Sequence, residues 1–320
     1  MTTSWLAELD GHRVGVEVPA STANLGAGYD CLGMALDLTN KIVLEVAGWN
    51  KPEHELTVIG QGEGELEPDD ENRFILGVEA AIIEVHGEVP KGASWRIEMT
   101  NKIPLARGLG SSAAATVGGL LAANALLGDV LSTSDMLRLA TRIEGHPDNA
   151  AAVLLGGFVV SVAADDAVEA IRFDVQRGIR AVVFIPELRL PTNEMRRALP
   201  DSVPRADAVA NLGRVAIGVA GMATGRSDIL RLLTEDRLHE PYRAAVYPQL
   251  PRLVADARAA GAIGACLSGA GSAIIAFTNK VSIVAAIEAA FRATAADTDL
   301  PGRVEVLKPR NNGAAILPKA

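Results

Sequence analysis

Apolar and polar positions alternate at the start of the chain. Residues 13–18 (RVGVEV) read as a half-buried strand that runs into Pro19. A glycine-rich loop follows at 21–33 (STANLGAGYDCLG). Strand-like runs come next at 41–46 and 56–59, with acidic, glycine-rich turns around them, notably 60–71. The apolar spacing of 74–85 predicts a helix, and 95–99 a strand leading into a central loop. Residues 111–127 predict a helix of mostly Ala and Leu with small residues on one side, and 135–144 predict another. Residues 156–162 and 180–185 are β-like, and 186–191 form a connector bounded by prolines. The second half is helix-rich. It closes on an apolar run at 262–267, a glycine loop at 268–272, a strand at 273–277 and a helix at 281–294. Strands and helices interleave irregularly, so an α+β fold is expected rather than a doubly wound parallel sheet. A division near residue 165 gives two units, 1–165 and 166–320.

Composition narrows the function classes. The 320 residues are 49% hydrophobic and only 4% aromatic, so cores must be built from Ala, Val, Leu and Ile. The net charge of -9 implies no broad basic surface and argues against a nucleic-acid partner. Cys31 and Cys266 form neither a disulfide framework nor a metal-ligand spacing, and both are expected to pack as small hydrophobes. Residues 1–11 lack the basic stretch and apolar run of a signal peptide. The longest apolar stretch, 113–127, is short for a membrane span and is broken by Thr116 and Asn124. A soluble, cytoplasmic protein without membrane contact is expected.

The candidate chemistry centres on residues 104–114 (PLARGLGSSAA). Phosphate groups need backbone N–H donors that can approach closely. Glycine permits the approach, and a helix N-terminus adds unpaired donors and a favourable dipole. Gly108, Gly110, Ser111 and Ser112 supply this arrangement ahead of an Ala-rich helix, and Arg107 and Lys102 add positive charge. The loop is not a Walker A motif. Gly108, Gly110 and Ala113 do fit G-x-G-x-x-A, with Asp129 about 20 residues beyond Gly108, where a dinucleotide fold places its ribose acid. However, a dinucleotide loop follows its strand directly, whereas 100–107 is polar and contains Pro104.

Three motifs in order, 19–33 (PASTANLGAGYDCLG), 104–114 and 264–277 (GACLSGAGSAIIAF), resemble those of the GHMP kinases. The stretch 144–157 (EGHPDNAAAVLLGG) resembles the branch that phosphorylates homoserine. The resemblance spans nearly the whole chain. It implies a two-domain α+β fold. The N-terminal ATP-binding unit would be like domain 2 of ribosomal protein S5, and the C-terminal unit ferredoxin-like with added helices. It also implies transfer of the γ-phosphoryl of ATP to the hydroxyl of L-homoserine in a cleft between the units, with Mg²⁺. A homodimer is the assembly such folds commonly form.

The same resemblance implies residue roles. Pro104, Leu105, Ala106, Arg107, Gly108, Leu109, Gly110, Ser111, Ser112, Ala113 and Ala114 would hold the nucleotide phosphates. Asn72 and Lys102 would lie towards the base. Ser112 and Glu144 would hold Mg²⁺. Asn24 and Asp30 would take the amino end of homoserine, Arg196 and Arg243 its carboxylate, with His146 and Gly269 nearby. Asn149 and Arg196 would steady the transition state, with Asp148 near the place where sister kinases keep a base. Each has a plainer reading: Asn72 as a helix N-cap, Asp30 and His146 as turn formers, the arginines as solvated side chains, 268–272 as a hairpin turn. Cys31, Asn193 and Ala151–Ala152 depart from the common pattern. A kinase for mevalonate or a sugar, or a non-catalytic sensor on the same fold, remain the competing expectations. Two arginines and an aspartate suit an amino acid better than a neutral sugar.

Overall fold

The computed structural model describes residues 5–49 and 53–318. Part of the signal-peptide reading, residues 1–4, lies outside the described residues. The chain forms β1 (Arg13–Ala23), β2 (Leu32–Trp49), β3 (Glu55–Gly60), α1 (Arg73–His86), β4 (Ala93–Asn101), α2 (Ser111–Leu126), α3 (Thr133–Glu144), α4 (Asp148–Leu155), β5 (Phe158–Ala164) and β6 (Ala167–Phe173). Then come β7 (Arg180–Pro186), α5 (Thr192–Arg197), α6 (Arg205–Ala223), α7 (Leu230–Leu233), α8 (Glu240–Arg243), α9 (Leu250–Ala259), β8 (Gly264–Leu267), β9 (Ile274–Thr278), α10 (Val281–Asp297), β10 (Gly302–Leu307) and β11 (Ala315–Ile316). Among the described residues no helix is long and apolar enough to cross a membrane.

Seven strands form the first sheet, in the order β11-β1-β2-β4-β3 with the β5–β6 hairpin joined to the start of β2. Only β3 and β4 pair in parallel. The second sheet, β10-β7-β9-β8, is antiparallel throughout. Counted along the chain from β7 its order is 4-1-3-2, the ferredoxin-like arrangement, with α5 to α9 inserted between its first two strands. The α+β expectation therefore holds.

Three sequence expectations need correction. Strand β1 does not stop at Pro19. It continues to Ala23 past a register shift between Pro19 and Ala20, the kind of irregularity at which a residue without an N–H is tolerated. With β2 starting at Leu32, the glycine loop shrinks to 24–31. Strands β6, β10 and β11 were not visible in the sequence pattern. Lastly, residue 165 sits in the turn of the β5–β6 hairpin, so a cut there separates two strands of one sheet.

Packing explains the Ala- and Gly-rich helices. Ten residues of α2 are buried, on all sides of the helix, so it has no polar face to read. Helix α2 lies between α1 and the first sheet. A Cβ on Gly77 would stand 2.3 Å from Thr116 O, and one on Gly119 would stand 2.1 Å from Phe74 O. Only glycine at these two crossings lets the helices meet backbone to backbone. The second sheet is buried on both faces. Ala181, Val183, Ile185, Ile275 and Phe277 join the large core beneath the first sheet. Val182, Phe184, Ile274 and Ala276 pack under α9 and α10. Double burial is why 180–186 and 274–278 read as continuous apolar runs. One core thus runs from sheet to sheet and fixes the seam that carries the site. Both cysteines are free, Cys266 buried and Cys31 half-buried, as small packed residues.

Candidate active site

Three glycine-rich segments converge at the seam. The Asn40 side chain accepts from the N–H groups of Lys102 (2.8 Å) and Ile103 (2.9 Å), which turns the chain out of β4. The loop then passes through left-handed backbone at Ala106, Gly108 and Gly110. Ser268 Oγ stands 2.7 Å from Gly108 O and 2.9 Å from Thr22 Oγ1. Ser21 N–H donates to Leu109 O, Gly269 N–H to Ala23 O, and Ala273 N–H to Arg107 O. A Cβ on Gly108 would lie 2.0 Å from Ser268 O, so glycine is required where the loop meets the second unit. The turn at 268–272 is therefore a hairpin turn and a wall of the site at once.

Helix α2 begins at Gly110 with no side-chain cap, which leaves its first amides to a ligand. The hydroxyls of Ser112 (2.8 Å) and Thr116 (2.7 Å) both donate to Glu144 Oε1. Glu144 is the last residue of α3, a helix end that disfavours a carboxylate. The start of α2 opposite it offsets that cost. The decoy Asp129 lies beyond the far end of α2, ~24 Å from the loop for 16 residues at 1.5 Å each, so it cannot serve a ligand held there.

A cavity of about 180 Å³ joins this loop to the second unit. Asn24, Asp30, Glu144, His146, Asp148, Asn149, Arg196, Arg243 and Gly269 all line it, together with Gly108, Gly110, Ser111 and Ser112. Asp148 is buried; its Oδ1 is 2.6 Å from His146 Nδ1 and accepts from Asn149 N–H at 2.7 Å. Asn149 Oδ1 accepts from Ser21 Oγ–H at 2.8 Å. Asn24 is committed to the scaffold: its Nδ2 donates to Gly269 O and its Oδ1 accepts from Asp30 N–H. It holds Asp30 in left-handed backbone and has no obvious capacity left for an amino group. Asp30 and Arg196 pair with each other in bidentate fashion at 2.7 and 2.9 Å. Asp30, His146 and Asp148 also bring potential ligand atoms within 4.8 Å of one another, a cluster distinct from the expected Ser112–Glu144 pair. Arg196 already supplies the cation there.

Arg243 differs from Arg196. It is 1% exposed, and no carboxylate pairs with it among the described residues. Its Nη1 donates to Gly269 O (3.1 Å) and lies 3.1 Å from His239 Nδ1. His239 Nε2 is 2.8 Å from Gly26 O, so Nε2 carries the proton and Nδ1 accepts from Arg243. Burial pulls the His239 pKa down to about 4, which keeps the ring neutral for that role. Asp236 caps the segment by accepting from the N–H groups of Leu238, His239 and Glu240.

Several predicted residues turn out otherwise. Arg107 directs its guanidinium away from the phosphate loop's mouth, onto the carbonyls of Leu105, Pro186 and Glu187. Lys102 is exposed and lines neither this cavity nor the one beside α1. Leu109, Ala113 and Ala114 are core residues that offer only backbone, and Pro104 is buried. Asn72 caps α1, accepting from Phe74 and Ile75 N–H, and it also lines a second cavity of about 420 Å³ with Leu105, Ala106, Ser111 and Ser112. Sequence reasoning missed Ser21, Thr116, Tyr29, Arg73 and His239. The Tyr29 hydroxyl accepts from Arg196 Nη1 at 2.7 Å, and both Arg196 and Arg243 stand 5.6 Å from its ring centre. Arg73 lines both cavities. The one available signal was Tyr29 itself, one of three tyrosines in the chain and adjacent to Asp30.

Burial pulls the His146 pKa down, but the hydrogen bond and charge of Asp148, helped by Asp30, outweigh it, and the net shift is upward from 6.5. A raised folded-state pKa means stabilisation that is complete below 6.5 and lost as pH rises through the raised value. The thermal midpoint should therefore fall more between about pH 6 and 8 in the parent than in His146→Gln. Equal slopes would disprove the coupling.

Comparison with known proteins gives concordant matches. The family model described as GHMP kinases N terminal domain matches residues 73–157, and GHMP kinases C terminal matches 223–297. A homoserine kinase of Moorella thermoacetica is 40% identical over 94% of this chain and 99% of its own length. One from Caldicellulosiruptor bescii is 39% identical, over 95% and 97%. The crystal structure of homoserine kinase from Cytophaga hutchinsonii superposes with a TM-score of 0.83 at 29% identity, covering 95% of this chain and 97% of that one. A Leishmania-type mevalonate kinase, titled L. major, shares the fold at a TM-score of 0.64 and 15% identity, covering 94% and 95%.

Proposed function

We infer the chemistry of this site from one premise: the chain belongs to the GHMP kinase family, and within it to the homoserine kinases. It has the two-domain GHMP kinase fold. It is an ATP-dependent phosphotransferase that moves the γ-phosphoryl group to the side-chain hydroxyl of L-homoserine, the step that yields O-phospho-L-homoserine for threonine synthesis. On this chain's own residues, one observation supports an amino-acid acceptor best. Arg243 is a buried guanidinium without a carboxylate partner, in a cavity that opens on the phosphate loop.

The residue roles are our reading. The uncapped start of α2, with Ser111 and Ser112, receives the phosphates, supported by the close approach that Gly108 and Gly110 allow. Mg²⁺ fits Ser112, Thr116 and Glu144: three oxygens converge there, and hard oxygen donors are what this ion takes. Bound there, it supplies neutralisation of phosphate charge. Arg243 holds the acceptor's carboxylate. Asp30 takes its ammonium, and in doing so draws on the Arg196 pair, which must loosen. Asn149 faces the transferring group beside Gly110. Asp148 is a positioning residue that fixes His146 and the first turn of α4; no strong base is needed, since positioning and charge carry phosphoryl transfer. The sheets suggest dividing the units after Phe173, with β11 returning to the first.

The test is ADP release by purified protein with Mg-ATP and, separately, homoserine, mevalonate, galactose or shikimate. Release with homoserine alone is expected. Absence of release with homoserine, or faster release with another alcohol, would overturn the assignment.

A further inference from the structure

We infer that Asn101 reads the nucleotide base, accepting a hydrogen bond from the 6-amino group of adenine and so making the enzyme selective for ATP over GTP. This rests on the kinase reading above and goes one step past it, to a residue that no motif singles out.

The inference starts from an orphaned atom. Asn101 is 5% exposed, and its Oδ1 has no hydrogen-bond partner. Buried side-chain oxygens without partners are uncommon and costly, by the desolvation of the group. The other half of the same amide is engaged: Nδ2 donates to Gln61 O at 3.2 Å and approaches Met99 Sδ at 3.8 Å. Turning the amide over would set two carbonyl oxygens against each other, so the free atom is the oxygen, an acceptor without a donor.

The place is the 420 Å³ cavity beside α1. Strand β4 alternates, with Trp95, Ile97, Met99 and Asn101 buried and Glu98 and Thr100 exposed. Asn101 therefore shares a face with Met99, and both line the cavity with Ile42, Leu66 and Leu105. An apolar slot of this size with one unpaired acceptor is suited to a flat heterocycle that carries a donor at its edge. The other end of the slot reaches Ser111 and Ser112, where the phosphates bind, so one ligand spans both. Glu67, Asp69 and Glu71 line the same cavity and oppose a triphosphate in the reverse orientation. Adenine offers an amino group at C6. Guanine offers an oxygen there, which would face the Asn101 oxygen and leave two acceptors opposed.

The experiment compares ATP with purine riboside triphosphate, which lacks only the 6-amino group, and with GTP. For the parent enzyme, kcat/KM should fall about tenfold on loss of the amino group, and further with GTP. In Asn101→Leu, ATP and purine riboside triphosphate should agree within about twofold, because the acceptor is gone. Calorimetric binding of ADP and purine riboside diphosphate reads the same discrimination without turnover. Parent enzyme that phosphorylates homoserine but treats both purines alike would overturn the role of Asn101. So would an Asn101→Leu variant that keeps the parent's ratio. Discrimination in binding without homoserine turnover would uphold this inference and sink the kinase reading instead. The parent comparison needs no variant, so a folding defect in Asn101→Leu leaves the proposal open to refutation.

Discussion

Asn149→Ala is expected to lower kcat by ~10²–10³-fold, the usual loss when one preorganised donor to a developing charge is removed. KM for homoserine and for ATP should each move by less than about threefold. The split follows from what the side chain already does. Asn149 Oδ1 is held by Ser21 Oγ–H at 2.8 Å, and its backbone N–H is held by Asp148 at 2.7 Å. Its Nδ2 has only a long contact with Asp148 Oδ1, at 3.4 Å. The amide is thus anchored at its oxygen and leaves its donor end facing the cavity beside Gly110, where a Cβ would stand 3.2 Å from Asn149 Oδ1. A donor fixed in this way costs nothing to orient when charge builds on the transferring group. Because the donor meets that charge rather than either ground-state ligand, the loss belongs in kcat. Steady-state kinetics with a raised KM and an unchanged kcat would contradict the role. Ser21→Ala gives a graded control, since it frees the amide without removing it and should cost less than Asn149→Ala.

The three glycine-rich motifs were legible because their chemistry is local. Gly108 and Gly110 sit in left-handed backbone and touch Ser268 and Ser21, so the sequence had to place glycine there whatever else varied. The ligand-facing arginines were legible only as residue types. Arg107 stands inside the most recognisable motif and still turns to the carbonyls of Pro186 and Glu187, nearly 80 residues away in sequence, which no local pattern reports. Thr116 lies one helical turn after Ser112, so its hydroxyl shares a face with that of Ser112, and the spacing was the signal to use. His239 acts on the cavity only through Arg243, and no motif marks such a partner. Among the strands, β1 was misread at Pro19 because a register shift rather than the strand's end absorbs the missing N–H. Strand β6 escaped because four of its seven positions are exposed, which blurs the apolar alternation. Asn72 and the 268–272 turn show that a structural role and a place in the site are not alternatives: each does both.

Arg243→Met should be the most damaging single change for acceptor binding, with kcat/KM for homoserine down by ~10²–10³-fold, in line with 2–5 kcal/mol for truncating one member of a buried charge pair. Arg196→Met removes a residue already paired with Asp30 and partly open to solvent, and its loss should be smaller in KM. Arg243 carries its charge under burial, which together with the nearby Arg196 lowers its pKa. The free enzyme therefore holds a guanidinium whose desolvation is offset only by Gly269 O, by His239 Nδ1 and by the Tyr29 ring. A carboxylate arriving beside it relieves that state, and the substrate should raise the thermal midpoint of the parent. In Arg243→Met the methionine stem fills much of the same space, so the free enzyme should unfold within a few degrees of the parent while the homoserine-dependent rise disappears. ATP-dependent stabilisation should persist, because Ser111, Ser112 and Glu144 lie on the far side of the cavity's acceptor end. A variant that keeps the homoserine-induced rise would show that the carboxylate is held elsewhere. One that loses the ATP-induced rise as well would show a collapsed cleft, and Arg243→Lys, which retains the charge without the planar fork, then separates the two by restoring the fold but little of the affinity.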